Sequence, residues 1–121
     1  MARTWLQVTT GEVQSKADDA ERLRERHERI AAQAEARLEE TVRPAMEAAA
    51  RDAGGRYREA DGGEALCRLC TVETETGAVE AAFDGFRPLL LLAGPAGERE
   101  VRRLDDVTRD WLDDWLRRTL A

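Results

Sequence analysis

The residues best equipped for chemistry in this chain are two cysteines three positions apart, Cys67 and Cys70, a single histidine, His27, and two groups of carboxylates. CxxC is the spacing of zinc sites and of dithiol redox centres, since two thiolates at that separation can grip one metal ion or close one disulfide. A redox CxxC ordinarily opens a helix, whose N-terminus lowers the thiol pKa. Here Cys-Arg-Leu-Cys lies inside a run with strand-like alternation, where side chains three apart point to opposite faces unless a bulge re-aims one. No second CxxC is present, and His27 is the only histidine. The expectation is two packed thiols, with no metal and no cofactor. A metal- or thiol-dependent module built on Cys67, Cys70 and His27 is the alternative.

His27 sits between Leu23 and Ile30 on an apolar helical stripe. As a general base or ligand it would need a partner within reach, and the sequence places none beside it. A packed, register-setting histidine at a helix seam is the simpler reading, and its titration would make association sensitive to pH. Glu73, Glu75, Glu80 and Asp84 alternate as solvated strand residues do. Asp105, Asp106, Asp110, Asp113 and Asp114 suit the cap and exposed face of a last helix. An enzyme would need such carboxylates from two chains to converge in a pocket at a dimer interface. Phosphate-binding glycine loops and the Ser/His/Asp, HExxH and GxSxG arrangements do not occur. No catalytic or cofactor-binding residue is assigned.

The elements that must carry these groups begin with a long helix over 12–53. Its stripe runs Val13, Ala17, Ala20, Leu23, His27, Ile30, Ala34, Leu38, Thr41 or Val42, Ala45 and Ala49, in steps of three and four. About 40 helical residues span roughly 60 Å, whereas a compact domain of about 120 residues has a radius of gyration near ~14 Å. Part of the helix must therefore break, project or pair. The expectation is a homodimer joined by a coiled-coil seam at Leu23, His27, Ile30, Ala34 and Leu38. Acid-before-base pairs four apart, Asp18 with Arg22, Glu25 with Arg29, Glu39 with Arg43 and Glu47 with Arg51, support the outer face. Pro44 predicts a kink or break, and Gly54-Gly55 a stop.

From Arg56 the period changes to two. Pieces at 56–60, 64–75, 78–83, 86–93 and 99–104, separated by Gly-containing turns, predict an antiparallel meander of three to five strands, with four preferred. Leu89 to Leu92 is apolar on both faces, as a central strand or an oligomer interface requires. A last amphipathic helix over 108–120, capped by Thr108 and stapled by Val107 and Leu112, should cover the sheet through Trp111, Leu112, Trp115, Leu116 and Leu120. Residues 1–11 form an arm or short strand. The fold class is α+β, in one domain over 1–121.

Composition narrows the function. The chain of 121 residues carries a net charge of −6, which disfavours a general nucleic-acid binder, because that affinity comes largely from neutralising phosphates. Residues 1–60 hold 11 basic and 12 acidic side chains and 61–121 hold 8 and 13, so the acidity belongs to the second half. No apolar run approaches the ~20 residues of a membrane span. The start lacks the apolar core of a secretory signal, and two close cysteines suit a reducing compartment, so a cytoplasmic address is expected. In size, acidity and its apolar strand the chain resembles the type III secretion chaperones, without the helix they carry between strands. Its order of helix, meander and helix is similar to that of small nucleoid-associated dimers, without their basic surface. The expected function is a small non-enzymatic interaction or adaptor protein, paired with itself and with another protein.

Overall fold

The computed structural model describes residues 5–61 and 66–121, with side chains for 16–61 and 68–121. Helix α1, Trp5–Arg37, runs through a π-helical segment, Leu38–Val42, into α2, Arg43–Ala53. The backbone from Trp5 to Gly11 is thus helical, where the β-rich composition suggested an arm or short strand. Neighbouring helix overrides the weak strand preference of so short a run.

Pro44 interrupts the α-helical ladder without ending the helix. Proline removes one N–H and crowds the carbonyl four residues back. The chain answers by widening over Leu38–Val42, where the Arg43 N–H bonds to the Leu38 carbonyl, five residues away. The stop comes at Gly54, in the left-handed region at φ 68°. Gly55 N–H reaches the Ala50 carbonyl at 2.8 Å and Gly54 N–H the Arg51 carbonyl at 3.3 Å, a paired closure that satisfies two of the last carbonyls.

Five strands follow: β1 Arg56–Ala60, β2 Leu66–Thr74, β3 Gly77–Asp84, β4 Leu89–Ala93 and β5 Arg99–Arg103. They pair antiparallel in sequence order, a simple meander. Five is the upper end of the expected range. The expected strand at 86–93 loses its first residues, because the Asp84 carboxylate accepts the Phe86 N–H at 2.8 Å and folds 84–88 into a turn. Gly77 closes the β2–β3 hairpin at φ 147°, and any Cβ there would meet the Pro95 ring at 2.6 Å.

Alternation separates the sheet's two faces. Cys70, Val72, Val79, Ala81, Phe83, Leu90 and Leu92 are buried and pack on α2 and on α3, Arg109–Leu120. Thr108 caps α3 by accepting the Trp111 N–H at 3.2 Å, and Val107 and Leu112 are both fully buried at the staple positions. Leu112, Trp115 and Leu116 enter the core, while Trp111 remains half-buried with the Arg102 guanidinium 4.1 Å over its ring. The layers are therefore helices on one face and no described helix on the other.

Candidate interaction surface

Two ion pairs fasten the long helix to the sheet. Arg43 makes a two-pronged contact to Glu59 on β1, at 3.0 and 2.9 Å, instead of pairing with Glu39 along the helix. The Glu59 hydrogen bonds raise the Arg43 pKa further above its ordinary value. Arg68 on β2 donates to Glu35 on α1 at 3.0 Å, and its pKa is raised by that contact in the same way. Both contacts lie C-terminal to Ile30.

The five residues assigned to a coiled-coil seam fall into two groups. Ile30, Ala34 and Leu38 are buried at 5%, 2% and 0% exposure by the chain itself, so in this arrangement they are not a surface for a second copy. The physical reason is width: from Leu38 onward the apolar residues Leu38, Val42, Ala45 and Met46 broaden from a stripe into a face that the sheet and α3 enclose. Leu23 and His27 stand outside this core. Every residue from Lys16 to Arg26 is exposed, Leu23 at 54%. The segment 16–29 extends roughly 21 Å at the helical rise.

At the base of this projection the His27 ring meets Phe86 edge-on, with centroids 5.1 Å apart and planes at 72°. Phe86, in the turn capped by Asp84, is itself 49% exposed. Sequence reasoning placed Phe86 in a strand and missed it, because its role depends on where α1 crosses the β3–β4 turn. Leu23 precedes His27 by one helical turn, and Ala20 and Ala17 continue the same stripe. No described residue covers Leu23, Ala20 and Ala17, so an exposed apolar ridge begins at the globule and runs outward.

Cys70 and the paired carboxylates Glu73, Asp113 and Asp114 lie away from this ridge. Cys70 is a free thiol, fully buried on the inner sheet face, and burial pushes its pKa up to about 11. The buried Tyr57 hydroxyl beside it has no hydrogen-bond partner of normal geometry among the described residues, and desolvation raises its pKa above the ordinary range. Neither group ionises near neutrality. The β2 register shifts between Leu66 and Arg68, so the backbone bulge anticipated as the way to re-aim one sulfur falls at Cys67. The Cys67 side chain lies outside the described residues.

Several of the described carboxylates are held by arginines of their own chain. Glu73 pairs with Arg58, Asp113 with Arg109 at 2.9 Å, and Asp114 with Arg117 and Arg118 at 2.9 Å each. The hydrogen bond from Arg117 helps to hold the Asp114 carboxyl below the usual carboxylate range. Among the described residues no three His, Cys, Asp or Glu side chains are placed to hold a metal ion. A groove of about 440 Å³ runs between α2 and α3. Ala45, Ala48 and Ala49 line one wall, Leu116 and Leu120 the other, and the Arg109–Asp113 pair satisfies its own charges. No helix of the described residues is long and apolar enough to cross a membrane. In comparisons with known proteins, no family model, no curated protein and no solved structure matches the chain.

Proposed function

We propose that this is a small non-enzymatic interaction protein, an adaptor that self-associates as a homodimer through the uncovered half of α1 and carries its globular domain to another protein. The supporting observation is the ridge Ala17, Ala20, Leu23 and His27, which projects beyond the core and leaves a large apolar side chain 54% exposed. Apolar residues repeated at steps of three and four along an exposed helix face offer a seam that a second helix can cover. The balance of opposite charges along 16–29 lets two such helices approach without net repulsion. A reducing, cytoplasmic setting suits the free thiol at Cys70.

Sedimentation velocity at micromolar concentration tests the reading. The wild type should run at twice the 13.6 kDa chain mass. Leu23→Glu, on an exposed position, should shift it to one chain mass without changing the melting temperature. A wild type that sediments as a single chain across this range overturns self-association.

A further inference from the structure

Among the described residues, the outer face of the sheet is a second surface that no helix covers. Register aligns Ala60, Leu69, Ala82, Leu91 and Val101 in one row across all five strands. Val101 is 58% exposed, and Leu69, Ala82 and Leu91 are half-buried by their neighbours alone. The row is about 19 Å long at the usual strand spacing. That is the length of about 13 helical residues.

Its charges say what fits. On the same face β1 contributes Arg56 and Arg58, and β5 contributes Arg99 and Arg103, with Glu73 and Glu80 between them. Arg58 is paired with Glu73, whereas Arg56, Arg99 and Arg103 make no ion pair with a described residue. In a chain of net charge −6 this face is basic at both edges. A second copy turned over onto it, about a two-fold axis along β3, would set Arg58 of each copy against Arg99 of the other and Glu80 against Glu80. In that arrangement like charges face each other across the interface. The edge strands, rich in arginine and glutamate, are likewise poor templates for strand addition.

We propose that this face docks an amphipathic helix of another protein, with an aliphatic ridge for the Leu69–Val101 row and acidic residues along its flanks for the edge arginines. This surface is separate from the self-association ridge on α1, so either can hold without the other. Aliphatic contact supplies burial, and the arginine edges supply orientation and discrimination.

The probe is a labelled synthetic helix of about 14 residues, with leucines on one face and glutamates beside them, compared with the same peptide carrying lysines. Fluorescence anisotropy on the full chain should give the glutamate peptide at least about tenfold tighter binding. Arg99→Glu with Arg103→Glu should invert that preference. Val101→Asp should weaken binding about tenfold while the melting temperature is kept, and Leu23→Glu should leave it unchanged. Equal affinity for the two peptides, binding indifferent to Val101→Asp in a folded protein, or tighter binding of a short DNA duplex than of the glutamate peptide would each overturn the proposal.

Discussion

Asp84 shows how a single carboxylate holds the turn on which the α1 contact rests. It is 7% exposed, and that burial works to raise its pKa. The Phe86 N–H at 2.8 Å and the Arg87 guanidinium at 3.0 and 3.1 Å outweigh burial and hold the carboxyl below the usual range. A folded-state pKa below the unfolded one means stability that is present above the unfolded value, about 3.9, and lost as pH falls through the folded value. The protein should therefore lose stability from about pH 4 downward, and Asp84→Asn should flatten that part of the urea-measured profile. At pH 7 the same variant should cost on the order of 1–2 kcal/mol, as removal of charged hydrogen bonds does.

Cys70 runs the opposite way. Its pKa is pushed up to about 11, so its contribution is intact below the unfolded value and disappears as pH rises from about 8.5 toward the folded one. In a Cys67→Ala background, native protein at pH 8 should react with iodoacetamide only as fast as it unfolds. Rapid labelling of the native state would show that the thiol is accessible. The CxxC spacing drew attention to this residue correctly as a chemical question, yet spacing carries no information about the depth of Cys70 or the tyrosine beside it.

Among the elements, the sheet and α3 were the most legible, because turn and cap chemistry is local. Gly54-Gly55, Thr76-Gly77 and Thr108 lie where glycine and N-cap preferences put them, and strand ends agree within a few residues. The strand that departed most, β4, begins late because a side chain, Asp84, claims the backbone ahead of it. The long helix was legible in length and poorly legible in allegiance. Its stripe repeats at three and four throughout, and periodicity cannot distinguish a neighbour in the same chain from one in another. Leu38 and Leu23 now separate the two halves experimentally. Leu38→Ala, at 0% exposure, should cost about 2–5 kcal/mol of folding stability. Leu23→Ala should change stability by less than about 0.5 kcal/mol and act on association alone.

For the whole molecule, the two-layer arrangement of the described residues leaves two surfaces that none of them covers: the projecting ridge of α1 and the outer sheet face. A projecting part of α1 follows from helix length against domain size, and Leu23 and His27 lie on its apolar stripe. The sheet face required the register, since only pairing brings Leu69, Leu91 and Val101 into one row. The proposed homodimer has two copies side by side along α1 between Lys16 and His27. Packed helices put their axes about 8–10 Å apart, which brings nitroxide labels on a Glu21→Cys variant, made in a Cys67→Ala, Cys70→Ala background, within range of double electron–electron resonance. Such a dimer should give a defined intermolecular distance peak that disappears when Leu23→Glu is added. A featureless background decay from the labelled protein at micromolar concentration, with the fold intact, would rule out pairing along α1.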